Sequence, residues 1–209
     1  MVVDKAGAVV EGVTFKNCKA ENAGGSVRVT EGTVRNCIFD GCHQGGNDGC
    51  KGSGVYINGT SAVVSNCVIK NCYVGFTGAG DGIGAYITGG GTLANTLVTG
   101  CYRSSYPHAV DTEGVVYLAK GTVKNCTITK NVIGRSALYV ANDSGCVVKD
   151  TICWGNTAYR EWRKGRPDIT VAGAKPTISN LCAPAEFGTG AVVANPMFAD
   201  AANGDYTLQ

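Results

Sequence analysis

Short runs in which apolar and polar residues alternate, rich in β-branched side chains, recur along the whole chain. The clearest copy is A-V-V-S-N-C-V-I-K-N-C at residues 62–72, and related segments occupy residues 8–18, 32–42, 91–101, 121–131, 145–156 and 177–182. None of these copies has the three-to-four-residue spacing of an amphipathic helix. The alternation instead predicts several short, half-buried strands in each repeat.

One position of this motif gives the repeat its period. It is filled by Gly12, Asn36, Asn66, Asn95, Asn125, Asp150 and Asn180, and subtraction of successive numbers gives gaps of 24, 30, 29, 30, 25 and 30 residues. A second apolar run, such as G-V-Y-I at residues 54–57, follows each copy. A unit of this length without a helix predicts one coil of a β-solenoid, because a propeller blade needs about 40 or more residues.

These motifs carry a resemblance to a known family. With G-x-Y-[IVL] and [TV]-x-N-C-x-I strands in successive repeats, the chain resembles the pectate-lyase-like superfamily, in particular its repeat-rich bacterial surface and secreted proteins. The segment N-P-M-F-A-D-A-A-N-G-D-Y-T-L-Q at residues 195–209 resembles the one that closes such domains. The resemblance implies an all-β fold, a single-stranded right-handed parallel β-helix of about seven coils. It also implies an extracellular or bacterial cell-surface location.

The length of 209 residues agrees with one domain over residues 1–209. We expect this domain to be part of a larger protein with flanking domains. The chain has 31 glycines, only 16% charged residues and a net charge of +2, so nothing predicts nucleic-acid binding. No apolar run reaches 18 residues, so no membrane insertion is predicted.

Most of the 11 cysteines occupy two positions of the repeat, which predicts ladders of buried thiols that pack as small apolar groups. No C-x-x-C pair is present, which argues against zinc. Disulfides at Cys50, Cys146 or Cys182 remain open. The members of the two positions are Cys37, Cys67 and Cys126, and Cys18, Cys42, Cys72 and Cys101.

Loops of unequal length follow the repeats. The loop at residues 132–136 is short and lies between the longer loops 102–114 and 157–167, which predicts a notch with Arg135 and Tyr139 at its floor. One wall is rich in basic and aromatic residues, which suit an anionic glycan; a solvated loop is the alternative. Its candidate ligand-binding residues are Tyr159, Arg160, Trp162 and Arg163.

The opposite wall offers candidate catalytic residues for proton abstraction or glycoside cleavage, and accidental proximity is the alternative. They are Arg103, His108, Asp111 and Glu113. Related lyases and hydrolases place aspartates on outward strand faces. Here neither of two predicted outward rows has carboxylates in adjacent coils, which disfavours an enzyme. These rows are Arg28, Tyr56, Tyr86, Tyr117, Tyr139 and Thr170, and Lys16, Asp40, Lys70, Thr99, Thr129 and Trp154.

A further candidate surface is the stripe Tyr56, Tyr86, Tyr117 and Tyr139, which occupies one outward position in four consecutive coils. It predicts either a glycan-stacking strip or a purely structural ladder. No cofactor or metal is predicted, and calcium bound at G-G-N-D-G and G-A-G-D-G around Asp48 and Asp81 is the alternative. We therefore predict a non-catalytic, extracellular carbohydrate-binding or adhesive module. A polysaccharide lyase or glycoside hydrolase acting on an acidic polysaccharide, and a structural spacer, are the alternatives.

Overall fold

The chain forms a parallel β-solenoid in the computed structural model, which describes residues 1–20, 26–44, 50–74, 80–103, 114–158 and 168–209. Each coil contributes strands to three sheets that run along the solenoid axis, and all strand pairs between coils are parallel. The described residues form strands and turns without any helix. The predicted fold class is therefore confirmed.

The first sheet contains the G-x-Y strands, as the motif predicts. Tyr56 pairs with Tyr86, and Tyr86 pairs with Tyr117, so equivalent positions lie directly above one another. In the described part of the chain, this sheet has seven strands: Val2–Val3, Val27–Val29, Val55–Asn58, Ala85–Thr88, Val116–Leu118, Leu138–Val140 and Ile169–Val171.

The second sheet contains both strands of the repeated asparagine motif. Its first row consists of Val9–Glu11, Gly32–Arg35, Ala62–Ser65, Gly91–Ala94, Gly121–Lys124, Cys146–Trp154 and Thr177–Cys182. Its second row consists of Thr14–Lys16, Ile38–Asp40, Val68–Lys70, Leu97–Thr99 and Thr127–Thr129, which pair onward with the long strand at residues 146–154.

The third sheet is narrow and begins where the sequence predicted loops. Its strands are Lys19–Ala20, His43–Gln44, Tyr73–Val74, Tyr102–Arg103, Val132–Ile133 and Thr157–Ala158. A two-stranded sheet, Cys50–Lys51 with Gly80–Asp81, precedes the return to the first sheet. Because the seventh coil lacks a strand of the third sheet in its described residues, the solenoid has somewhat fewer complete turns than the seven predicted.

The repeated asparagine lies at the corner between the two rows of the second sheet. The six non-glycine residues there have φ between 48 and 52°, and Gly12 has φ 70°. This left-handed conformation is tolerated by Gly and Asn far better than by most residues. This conformation explains why Asn and Gly recur at the corner. Stacked asparagines also predict bonding from amide to amide along the row, and this prediction was wrong. Where side chains in the row bond, the partner is a carboxylate: Asn36 donates to Glu11 and Asn180 donates to Asp150, both at 2.8 Å.

The core is a set of stacked interior rows, which the alternation of apolar and polar residues in successive coils predicts. One row is Val34, Val64, Leu93, Val123 and Val148, and another is Phe39, Ile69, Val98, Ile128 and Cys153, all fully buried. The ten cysteines whose side chains are described are free thiols, and eight of them are buried. Burial raises the pKa of the Cys67 thiol to about 11. They are therefore packing groups.

In the first coil the sequence predicts Val9, Val10, Val13 and Phe15 as core residues, and this prediction was wrong in part. Val10 and Phe15 pack against the core, and Phe15 stacks on Phe39 with ring centroids 5.1 Å apart. Val9, however, is 52% exposed, because it pairs with Thr33 in an outward row. Val13 is 39% exposed, since its coil contacts a neighbouring coil on one side alone within the structure.

The segment 195–209 does not continue the solenoid. Phe198–Asp200 and Asp205–Leu208 pair antiparallel as a hairpin. The hairpin lies against the outer face of the second sheet, where the Tyr206 hydroxyl is 3.2 Å from Thr99 Oγ1. Immediately before it, residues 189–192 bridge to the last strand of the second sheet.

Candidate functional site

The predicted tyrosine stripe is a continuous stack of rings. Ring centroids are 5.6 Å apart between Tyr56 and Tyr86, 4.8 Å between Tyr86 and Tyr117, and 4.7 Å between Tyr117 and Tyr139. Adjacent ring planes are within 18° of parallel. We call these four residues the tyrosine strip; it follows from the parallel register of the first sheet.

The stacking decides what the strip offers to a ligand. The rings face one another at a spacing of a single coil, so no sugar ring fits between them. Contact from outside is therefore made with ring edges and hydroxyl groups. The predicted stacking of a glycan on exposed ring faces along the strip does not suit this geometry.

Cations lie against the strip. The Arg28 guanidinium carbon is 5.4 Å from the centre of the Tyr56 ring, and the Lys51 ammonium nitrogen is 5.0 Å from the centre of the Tyr86 ring. Both distances are within the range of cation–π attraction. Lys51 pairs in register with Asp81, so the strip also has a carboxylate nearby.

Partial burial changes the electrostatics of the strip. Tyr86 is only 7% exposed, and the other three tyrosines are half-buried. Burial, assisted by the negative charge of Asp81, raises the pKa of Tyr86 to about 12. The pKa of Tyr117 is raised further, again chiefly by burial. The hydroxyls of Tyr86 and Tyr117 therefore stay protonated at neutral pH and can donate hydrogen bonds.

The structure describes only part of the predicted notch. Arg135 is exposed on the short connection before Ser136, and Tyr139 is the last ring of the strip. The candidates on the two walls, His108, Asp111, Glu113, Tyr159, Arg160, Trp162 and Arg163, lie outside the described residues.

Arg103 is described, and its position bears on the catalytic hypothesis. The residue is 5% exposed and occupies an interior row with Gln44 and Val74, which are equally buried. A side chain in this row lies inside the coil and away from the outer surface of the loops. The catalytic role proposed for Arg103 remains a prediction that this placement does not favour.

A second aromatic row was missed from the sequence. His43 stacks on Tyr73 at 4.7 Å, and Tyr73 stacks on Tyr102 at 5.3 Å, on the outer face of the third sheet. A signal was present, since each ring directly follows a cysteine: Cys42, Cys72 and Cys101. Only two residues of each coil form this strand, which is too short for the alternation of the sequence to distinguish it from a loop.

No group of three or more His, Cys, Asp or Glu side chains that could hold a metal occurs among the described residues. Asp81 is half-buried, and Asp48 lies outside the described part. The calcium alternative therefore stays a prediction. The described residues also contain no helix with the length and apolar character that membrane crossing requires.

Comparison with protein families supplies the assignment. The model described as "Right handed beta helix region" matches residues 2–172, most of the chain. The chain belongs to the right-handed β-helix family. This membership fits the pectate-lyase-like superfamily that the motifs indicated. No curated protein and no solved structure matches the chain at a significant level.

Proposed function

We propose that this right-handed β-helix is a non-catalytic, extracellular carbohydrate-binding or adhesive module whose ligand is an acidic glycan lying along the tyrosine strip. The observation that carries the proposal is the uninterrupted stack of four tyrosines with Arg28 and Lys51 against its rings. Flanking domains of a larger chain would present this surface.

The repetition of the strip suits a polymer. Equivalent groups recur once per coil at about 4.8 Å, so the strip spans roughly 15 Å. Tyr56, Tyr117 and Tyr139 are its more exposed members, and Tyr86 is nearly buried. A linear polysaccharide also repeats its hydroxyl and acidic groups at regular intervals. Successive sugar units can therefore make the same contact with successive coils, and the weak contacts add up along the chain.

The charges favour an acidic ligand. Arg28 and Lys51 place two positive charges against the rings of the strip, and the exposed Arg135 precedes its last strand. Asp81, paired in register with Lys51, is a carboxylate close to them. Burial raises the pKa of Asp81, and the positive charge of Lys51 opposes that shift. Guanidinium and phenol groups both donate to carboxylate or sulfate oxygens.

The outward rows favour binding over catalysis. Within the described residues of the two rows considered above, Asp40 is the single carboxylate, and its Oδ2 lies 3.6 Å from the Lys70 ammonium. Glycoside cleavage ordinarily needs two carboxyl groups on either side of the bond. Asp40 has no second carboxylate beside it in its row, since Lys16 and Lys70 are its neighbours there.

A glycan array followed by calorimetry tests the proposal. The double variant Arg28→Gln and Lys51→Gln should bind acidic oligosaccharides such as oligogalacturonate or heparin fragments at least tenfold more weakly, because charge-assisted hydrogen bonds contribute about 1.5–3 kcal/mol each. The matched control is Lys124→Gln with Lys149→Gln, which removes the same charge from the outer face of the second sheet. It should bind like the wild type.

Several results would oppose the proposal. Equal binding by both double variants would remove the strip as the site. New reducing ends, or ultraviolet absorbance of unsaturated ends, after incubation with pectin, alginate or glycosaminoglycans would favour the polysaccharide lyase or glycoside hydrolase. A protein that neither binds nor cleaves any of these polymers would be a structural spacer.

A further inference from the structure

A second surface with binding chemistry lies on another side of the solenoid, under the C-terminal hairpin. The hairpin is fixed at several points: Lys130 donates to the carbonyl of Ala201, and its ammonium nitrogen lies 5.7 Å from the centre of the Tyr206 ring. Phe198 meets the same ring edge-on at 5.4 Å. The hairpin therefore stands as a rigid wall over the second sheet.

A cleft of about 520 Å³ remains between this wall and the sheet. That volume is within the range of ligand clefts, about 300–1,000 Å³. Its lining includes Asn95, Leu97, Asn125, Thr127, Asp205 and Thr207. Nearly all of these side chains are hydrogen-bonding groups, whereas the half-buried Leu97 gives the floor an apolar patch.

Among the described residues of the asparagine row, the exposed side chains of Asn66, Asn95 and Asn125 make no hydrogen bond, and of these three only Asn95 and Asn125 line the cleft. Asn36 and Asn180 each donate to a carboxylate of the adjacent coil at 2.8 Å. Because Asn95 and Asn125 follow the paired residues Ala94 and Lys124, the two amides lie in adjacent coils and project from the same corner.

The opposite wall supplies an acceptor. Asp205 Oδ1 accepts from the Thr207 amide at 3.0 Å and from the Thr207 hydroxyl at 2.6 Å, which fixes the carboxylate in place. These bonds lower the pKa of Asp205, so the group is an anion at neutral pH. A fixed carboxylate accepts from hydroxyl groups and repels acidic ligands.

We propose that this cleft binds a neutral saccharide, separately from the acidic glycan assigned to the tyrosine strip. Two amides in adjacent coils present a donor and an acceptor each, which matches the paired hydroxyls of a sugar ring. Leu97 meets the apolar face of the ring, and Asp205 accepts from a hydroxyl on the far side. The site thus differs from the tyrosine strip in position, charge and ligand class.

The experiment uses glycine variants of the full chain. Asn95 and Asn125 have φ of 48° and 51°, so Asn95→Gly and Asn125→Gly remove the amides without straining the corner. Asn66→Gly is the matched control, since Asn66 occupies the same corner one coil away and does not line the cleft. An array of neutral gluco-, galacto-, manno- and xylo-oligosaccharides selects a probe, and calorimetry with that tetrasaccharide measures Kd.

We expect the wild type and Asn66→Gly to bind the selected tetrasaccharide equally, and Asn125→Gly and Asn95→Gly to bind at least tenfold more weakly. The double variant Arg28→Gln and Lys51→Gln should retain neutral-sugar binding in full, whatever its effect on acidic glycans. The proposal is overturned if no neutral oligosaccharide binds, if both cleft variants bind like the wild type, or if the strip variant loses the neutral ligand too.

Discussion

A buried amide junction makes the sharpest prediction about stability. The interior position held by Cys42, Cys72 and Cys101 becomes asparagine in the next coil, Asn131, which is fully buried. Its Oδ1 accepts from the Cys101 amide at 2.9 Å, and its Nδ2 donates to the carbonyls of Val98 and Thr129, each at 3.0 Å.

The junction continues into the following coil. Asn131 Nδ2 also lies 2.9 Å from Asn156 Oδ1, and Asn156 donates through its Nδ2 to Asp168 at 2.6 Å. Asn131→Ala therefore leaves a buried N–H and two carbonyls without these bonds. A buried group without a partner costs about 1–3 kcal/mol. We expect a total loss of about 3 kcal/mol, a large fraction of the 5–15 kcal/mol typical of domains.

Urea denaturation of Asn131→Ala and Asn131→Cys measures this cost. The cysteine variant reproduces the solution used in the preceding coils, where the Cys101 thiol is 3.7 Å from the Thr99 carbonyl, so it should lose less than alanine. Hydrogen exchange of the Cys101 amide gives a local check and should accelerate at least tenfold in Asn131→Ala. A loss below about 0.5 kcal/mol, as for an ordinary surface substitution, would refute the reasoning.

Three further predictions concern the corner, a half-buried carboxylate and the thiols. Asn66→Ala should lower the free energy of unfolding in urea by about 1–2 kcal/mol, whereas Asn66→Gly should be near neutral; equal effects would contradict the conformational explanation. Burial raises the folded-state pKa of Asp168 above its ordinary 3.8. Asp168 therefore contributes most to the free energy of unfolding at pH below 3.8, and this contribution declines as the pH rises from 3.8 through the raised pKa. The Tm of Asp168→Asn should therefore rise relative to that of the wild type as the pH increases above about 3.8. A difference in Tm that does not change with pH would contradict this prediction. In a thiol-reagent assay of the folded protein, the half-buried Cys18 and Cys182 should react first, and denaturation without reductant should release at least ten thiols; fewer would indicate disulfides.

The solenoid could be predicted from the sequence because each local signal repeats with the coil. A single Asn at a corner is weak information, but Asn36, Asn66, Asn95 and Asn125 together give the period. Strand alternation then assigned the interior rows, including Val64 and its equivalents. The prediction for Val9 in the first coil was wrong because alternation separates the two faces of a strand but does not show which face is interior.

The remaining features occur once in the chain, so the repeat period cannot predict them. The hairpin at residues 198–208 occurs once, and its placement depends on long-range contacts such as Tyr206 with Thr99. The cleft beneath it was therefore not predictable. The ladder of rings was predictable in register, whereas the sequence left open whether it forms a glycan-stacking strip or a structural ladder.

An NMR titration with the ring protons of the tyrosine strip as probes tests the central functional claim most directly. An acidic oligosaccharide that binds the wild type should shift the ring resonances of Tyr56, Tyr86, Tyr117 and Tyr139, assigned from single Tyr→Phe variants. Resonances of Tyr206, on another side of the solenoid, should stay unchanged. Saturable binding that leaves all four strip resonances in place would contradict the claim.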